Sequence, residues 1–159
     1  EAANAAVIEA ALNGLGKPGM GCTATCAYIE NDTLAIAHVG DSRAYLLHEG
    51  TLIRVTRDHS YVEELVDAGE ITADEARVHP NRSVITRALG SDPAMYADHF
   101  TLHIEEGDRL ILCSDGLSSM IPDSDIENIA TQSSTAQICV DNLVDAALAA
   151  GRQRDRSSR

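Results

Sequence analysis

A chain of 159 residues, 44% hydrophobic and 23% charged, is long enough to bury the core of one domain. No apolar run approaches the roughly 20 residues of a membrane helix and no signal peptide is evident, so we expect no membrane contact by this chain. A net charge of −13 disfavours nucleic acid as a partner and favours divalent cations. Four cysteines without C-x-x-C spacing predict neither a zinc site nor disulfides, so we expect buried, reduced thiols in a cytoplasmic protein.

The first third of the chain predicts one helix followed by antiparallel strands. Apolar residues at helical spacing predict a helix over residues 1–15, ended by Gly14 and Gly16. Four strands are predicted next, at residues 23–30, 33–39, 44–48 and 51–55. Their connections are too short for parallel crossovers, so we expect a largely antiparallel sheet.

Residues 57–90 differ in composition and predict an inserted subdomain lying over the sheet. It contains one short helix closed by Gly69 and a second helix capped by Thr72. Strands resume at residues 98–104 and 109–113.

The last third predicts helices. One begins at Pro122-Asp123, and a longer one follows Ser133-Ser134 and is ended by Gly151. Residues 151–159 hold four arginines and no apolar residue, so we expect a disordered basic tail.

Two aspartates share one setting. Asp41 and Asp115 each follow an apolar strand and adjoin a glycine. Two carboxylates that met in one cleft would suit Mg²⁺ or Mn²⁺, which prefer oxygen ligands. Turn composition alone explains the pattern equally well, so spacing leaves both interpretations open.

Other kinds of metal-binding or catalytic site fit the sequence less well. His99 and His103 are four apart, but their segment predicts a strand and not the helix that would pair them on one metal. An aspartate-based phosphoryl hydrolase would need D-x-D-G, and here Cys113 stands at the place of the nucleophile. Phosphate-binding glycine loops and the G-x-S-x-G motif do not occur.

Five motifs in order carry a resemblance to a known family. They are G-M-G-C-T-A-T, A-H-V-G-D-S-R-A-Y, V-T-R-D-H-S, H-P-N-R-S-V-I-T-R-A-L-G and G-D-R-L-I-L-C-S-D-G-L. At these intervals the chain resembles the metal-dependent protein phosphatases of the PPM (type 2C) family, bacterial branch. The resemblance covers residues 1–150, which would form a partial phosphatase domain.

The resemblance implies both a fold and an activity. The fold would be α+β, an antiparallel β-sandwich flanked by helices in four layers (α-β-β-α), incomplete in this chain. The activity would be hydrolysis of phosphoserine and phosphothreonine in proteins phosphorylated by a serine/threonine kinase. A hydroxide held by two Mn²⁺ or Mg²⁺ ions would attack phosphorus without a covalent phosphoenzyme.

The resemblance also assigns roles to residues. Asp115 would bind a core metal ion, and Asp41 would join it at an additional metal site, giving two or three ions in a complete domain. Residues 57–82 would correspond to the family's mobile flap, which contributes to substrate choice.

The departures from the family pattern weaken the expectation of activity. The early D-G-x-G-G motif and the phosphate-holding arginine would precede Glu1, so no catalytic residue is assigned within the chain. The late G-x-D-N motif would follow Ala150, where G-R-Q-R-D-R-S-S-R stands instead. We therefore expect a truncated domain with little activity by itself. The alternative is a non-catalytic phosphatase-like module that binds phosphoproteins or regulates a kinase.

Overall fold

The computed structural model describes the backbone of residues 1–157 and the side chains of residues 1–152. The chain divides into two compact units. The first contains Glu1–Ser42 and Thr56–Ile104, and the second contains Arg43–Val55 and the described part of Glu105–Arg159. Each unit is built on its own three-stranded antiparallel sheet, so the α+β class with antiparallel strands is confirmed.

The sheet of the first unit has the order β1-β2-β5. Its strands are β1 (Ala24–Glu30), β2 (Thr33–Val39) and β5 (Asp98–His103). Asn31 takes a positive φ of 53° in the β1–β2 hairpin, a conformation that asparagine tolerates better than most residues. Alternation along β2 buries Leu34, Ile36 and His38, so a histidine occupies a core position beside two aliphatic residues.

Three helices belong to the first unit: α1 (Ala2–Leu12), α2 (Tyr61–Asp67) and α3 (Ala73–Val78). The predicted caps of the two short helices are present. Gly69 has a φ of +72° just beyond α2, and Thr72 forms a reciprocal capping box with Glu75 at the start of α3. Residues 57–90 lie in the same compact unit as the first sheet, and their role as a flap stays a prediction.

The second unit has the sheet order β4-β3-β6. Its strands are β3 (Arg43–His48), β4 (Thr51–Arg54) and β6 (Arg109–Cys113), and its helices are α4 (Asp115–Ser118), α5 (Asp123–Gln132) and α6 (Ala136–Ser157). The central strand β3 is buried from Ala44 to Leu47. Its Tyr45 and Leu47 share a hydrophobic core with Ile126 of α5 and Leu143 of α6.

The buried Tyr45 also joins β3 to α5 by polar contacts. Its hydroxyl donates to Asp123 Oδ1 at 2.9 Å and accepts from Arg43 Nη1 at 3.0 Å. Burial raises the pKa of Tyr45, so the hydroxyl keeps its proton and its donor role across the working pH range. The polar end of a core tyrosine is thereby satisfied, which removes the cost of burying it.

The end of α6 corrects the expectation of a disordered tail. The helix does not stop at Gly151 but continues to Ser157, and residues 158–159 lie outside the described residues. A helical glycine costs only about 1 kcal/mol relative to alanine, whereas the arginines and glutamine that follow favour a helix. Gly151 alone was therefore a weak stop signal.

The cysteines correct a second expectation. All four are free thiols, but Cys22 and Cys26 are exposed and only Cys139 is fully buried. Cys26 lies on β1, an edge strand of the first sheet, and its side chain is on the more exposed face of that strand. No helix in the described part of the chain is long and apolar enough to cross a membrane.

Replacing Arg109 with methionine is expected to destabilise the second unit by about 1–3 kcal/mol, because hydrogen bonds to a charged group are lost. Arg109 Nη1 donates to the carbonyl oxygens of Ala130 at 2.7 Å and Ser133 at 2.6 Å, near the end of α5. Urea unfolding followed by circular dichroism measures the change. The exposed Arg152 is the control, and Arg152→Met is expected to change stability by less than about 0.5 kcal/mol. Equal effects of the two substitutions would contradict this role for Arg109.

Candidate functional site

The turn of residues 40–42, here called the Gly40 turn, carries Asp41 between β2 and β3. Gly40 has a φ of +111°, and a Cβ at this position would lie 2.3 Å from Thr23 Cγ2 and 2.5 Å from Thr23 Cβ. Only glycine fits both the backbone conformation and the space. The predicted position of Asp41 at the end of an apolar strand is confirmed.

Both sides of Asp41 are held by hydrogen bonds within the first unit. On one side, Gly40 N–H donates to His59 Nδ1 at 3.0 Å, and Gly40 C=O accepts from His59 N–H at 2.8 Å. On the other side, Ser42 Oγ lies 2.9 Å from Thr23 Oγ1, and the Ser42 carbonyl accepts from Thr25 Oγ1 at 3.2 Å. The backbone of the turn is therefore fixed by the protein itself, as precise placement of a binding side chain requires.

A pair of buried histidines lies beneath this turn. The rings of His38 and His59 are 4.9 Å apart between centroids. His38 Nε2 lies 3.0 Å from the Arg57 carbonyl oxygen, and its Nδ1 lies 2.9 Å from Thr25 Oγ1. Burial and the neighbouring His59 lower the pKa of His38, against smaller opposing effects of the Arg57 carbonyl and Asp58. His38 is thus a neutral core residue whose Nε2–H donates to the Arg57 carbonyl, while its Nδ1 and the Ser42 carbonyl share the single proton of the Thr25 hydroxyl.

Asp98 of β5 anchors the second histidine. Its Oδ2 lies 3.0 Å from His59 Nε2, and its Oδ1 accepts from Arg87 Nη1 at 2.6 Å. Partial burial raises the pKa of Asp98, but the hydrogen bonds from His59 and Arg87 outweigh it, so the pKa lies below its usual range. The guanidinium of Arg87 also stacks on Tyr96, 4.2 Å from the ring centroid.

Asp115 lies in the second unit as the first residue of α4, directly after β6. Its side chain is exposed, and its carboxylate has no hydrogen-bond or ion-pair partner within the described part of the chain. Its backbone carbonyl accepts from the N–H and the hydroxyl of Ser119, at 3.0 and 2.6 Å. A fixed backbone with an unpartnered carboxylate suits a hard cation, whose preferred ligand is oxygen.

The two predicted metal ligands belong to different units, so their meeting at one cation stays a prediction. Within the described residues, no group of three or more histidine, cysteine, aspartate or glutamate side chains is placed to hold a metal ion. The donor chemistry of Asp41 and Asp115 fits Mg²⁺ or Mn²⁺, but these residues alone do not complete a coordination shell.

The histidine pair and Asp98, which support the Gly40 turn, are the residues near the candidate site that the sequence did not single out. Neither histidine of the pair has the sequence spacing of metal ligands. One signal was available for His38, because strand alternation places it on the same face as Leu34 and Ile36. No local signal connects positions 40, 59 and 98, which meet only in the folded unit.

The sequence matches the family Protein phosphatase 2C over residues 9–155. This chain belongs to the Protein phosphatase 2C family. The predicted membership in the PPM (type 2C) family is therefore confirmed, and the match includes both Asp41 and Asp115.

Two curated members of the Protein phosphatase 2C family show the degree of similarity. The serine/threonine phosphatase stp of Listeria welshimeri is 43% identical over 111 residues, which is 70% of this chain and 44% of the relative. The serine/threonine protein phosphatase PstP of Mycobacterium tuberculosis is 45% identical over 111 residues, 68% of this chain and 21% of the relative. The chain thus spans less than half the length of these curated relatives.

Solved structures agree with the assignment to the Protein phosphatase 2C fold. Stp1 of Staphylococcus aureus superposes with a TM-score of 0.88 at 34% identity, covering 93% of this chain and 58% of that protein. M. tuberculosis PstP gives a TM-score of 0.86 at 36% identity, covering 93% and 62%. The catalytic domain of PstP has also been solved in complex with two manganese ions, with a TM-score of 0.83, 34% identity and coverage of 93% and 61%.

Replacing Gly40 with alanine is expected to destabilise the chain more than the same change at Gly107. Gly107 has a similar φ of +103°, but a Cβ there would meet nothing within 4 Å. The backbone cost of about 1–3 kcal/mol is common to both variants, and Gly40→Ala adds a steric cost of about 1–3 kcal/mol against Thr23. Urea unfolding of both variants measures the difference. Equal losses of stability in the two variants would contradict the steric role of Thr23.

The two histidines with shifted pKa values predict opposite effects of pH. His38 has a lowered pKa, so between neutral pH and its folded pKa the unfolded chain binds more protons, and stability falls as pH falls below about 6.5. The hydrogen bond to Asp108 raises the pKa of His48, so its contribution is complete at low pH and is lost as pH rises through the raised pKa.

Urea unfolding between pH 7.5 and 5.5 separates the two effects. Relative to the wild type, His38→Asn is expected to lose less stability on acidification, and His48→Gln is expected to lose more. A pH dependence that neither substitution changes would contradict both assignments.

Proposed function

We propose that this chain is part of a metal-dependent phosphatase that removes phosphate from phosphoserine and phosphothreonine in proteins. The observation that carries this proposal is the Asp115 carboxylate, which is exposed and unpartnered within the described residues and lies in a Protein phosphatase 2C match. Relatives named serine/threonine phosphatases support the reaction class. The substrates would be proteins phosphorylated by a serine/threonine kinase.

Asp115 and Asp41 would supply oxygen ligands to Mn²⁺ or Mg²⁺, two or three of which we expect in a complete domain. The solved PstP catalytic domain with two manganese ions supports this choice of cation. When bound, such ions lower the pKa of a coordinated water and neutralise charge on phosphoryl oxygens. The residues of this chain would contribute two carboxylates on hydrogen-bonded backbone: Asp41 from the Gly40 turn and Asp115 from the start of α4.

The chain by itself would have little activity. Its described residues gather no group of three potential metal ligands, so further carboxylates are needed. We assign the catalytic role to ligands and a phosphate-binding arginine outside this sequence, and a role in substrate choice to residues 57–82. Four free thiols support a cytoplasmic location, where reducing conditions preserve exposed cysteines such as Cys22 and Cys26.

A completed chain tests the function. Residues 1–150 are joined to the flanking segments of S. aureus Stp1, of which this chain covers 58%. We expect Mn²⁺-dependent release of phosphate from a phosphothreonine peptide, and much less release by the chain alone. Asp115→Asn is expected to reduce the rate of the completed chain at least about 100-fold, more than the loss of an outer-sphere partner does.

Asp125 of α5 provides the matched control, since it is an exposed aspartate in the same unit and Asp125→Asn is expected to leave the rate unchanged. Hydrolysis that survives Asp115→Asn would contradict the metal role. A completed chain that folds and binds the phosphopeptide without hydrolysing it would support the non-catalytic module instead. Turnover by the chain alone, lost in Asp115→Asn, would contradict the claim of an incomplete site.

A further inference from the structure

His59 makes bonds to both peptide groups that flank Gly40. Its ring Nδ1 accepts from Gly40 N–H at 3.0 Å, and its backbone N–H donates to Gly40 C=O at 2.8 Å. These two peptide groups define φ and ψ of Gly40, the residue with the greatest backbone freedom in the turn. The side chain of His59 is only 7% exposed, so water does not compete easily for these bonds.

The tautomer of His59 follows from its partners. Because Gly40 N–H donates to Nδ1, that nitrogen carries no proton, and the ring proton is on Nε2. Nε2 then donates to Asp98 Oδ2 at 3.0 Å. A carboxylate that accepts from one ring nitrogen fixes the other nitrogen as an acceptor, as in the histidine supports of metal sites.

Asp98 is in turn held by Arg87. Arg87 Nη1 donates to Asp98 Oδ1 at 2.6 Å, and the guanidinium is itself placed by Tyr96. The backbone carbonyl of His59 accepts from Thr86 N–H at 2.9 Å, directly before Arg87. A continuous set of contacts therefore runs from Arg87 through Asp98 and His59 to the peptide groups of Gly40.

We propose that His59 is a positioning residue for Asp41, acting as a neutral Nε2-protonated imidazole that fixes the Gly40 turn, with Asp98 and Arg87 holding its ring. The link to cation binding rests on the proposed function, in which Asp41 is a metal ligand. His59 does not contact the cation. It removes the conformational freedom of Gly40 in advance, so that a cation does not have to order the turn on binding.

Two substitutions at His59 separate its two ring contacts. Asparagine places an amide oxygen near the position of Nδ1, so His59→Asn keeps an acceptor for Gly40 N–H but does not reach Asp98. Glutamine places its amide group near the position of Nε2, so His59→Gln keeps a donor to Asp98 but offers Gly40 no acceptor. Both variants have polar amide side chains and remove the imidazole ring.

Amide hydrogen exchange of the full chain without metal is the first measurement. We expect the Gly40 amide to exchange about tenfold faster in His59→Gln, which corresponds to the loss of one hydrogen bond, and less than about threefold faster in His59→Asn. Asp98→Asn keeps the histidine and is expected to give an intermediate increase. Should His59→Gln fail to fold, Asp98→Asn supplies the test. Exchange of Gly40 at the wild-type rate in the folded variants would overturn the proposal.

Mn²⁺-induced broadening of the Asp41 and Ser42 amide signals is the second measurement. We expect weaker binding in His59→Gln than in His59→Asn, and loss of broadening in Asp41→Asn. Equal Mn²⁺ affinity of both His59 variants and the wild type would overturn the positioning role. If the wild type shows no broadening while Gly40 exchange still accelerates in His59→Gln, the role of His59 in fixing the turn stands and the metal-binding role of Asp41 fails.

Discussion

The first unit depends on the hydrogen bonds between Gly40 and His59. A glycine at a φ of +111° has no side chain to hold it, and Thr23 leaves no room for one. Its conformation must therefore be fixed from outside, and His59 does so through both its ring and its backbone. A buried acceptor also satisfies an amide that would otherwise be costly to remove from water.

Placing an imidazole ring in this position imposes further requirements on the neighbouring sheet. Thr25, His38 and Asp98 are paired across the three strands and meet these requirements. Asp98 is hydrogen-bonded to His59, and the ring of His38 packs against the ring of His59. A buried polar group is tolerated only when its partners are in place, and here each histidine has a partner at both ring nitrogens. These cross-strand residues of the first sheet thus also support the Gly40 turn, which carries Asp41.

Local patterns predicted much of the fold. Alternation, turn composition and capping signals predicted the strands to within one or two residues at their ends, and the helices α2 and α3 with their caps. Five short motifs in order also predicted the family. The long-range contacts were not predicted, because nothing in the residues near His59 indicates that its ring meets Gly40 and Asp98. The predicted helix end at Gly151 was wrong because a glycine weakens a helix without necessarily ending it.

The Gly40 turn is set by this protein's own buried imidazole before any cation binds. The most direct test is the scalar coupling across the hydrogen bond between the amide nitrogen of Gly40 and Nδ1 of His59, measured by NMR on the ¹⁵N-labelled chain without metal. We expect a resolved coupling, together with ring nitrogen shifts of the Nε2-protonated tautomer. A protonated Nδ1 with no coupling to Gly40 would contradict the claim.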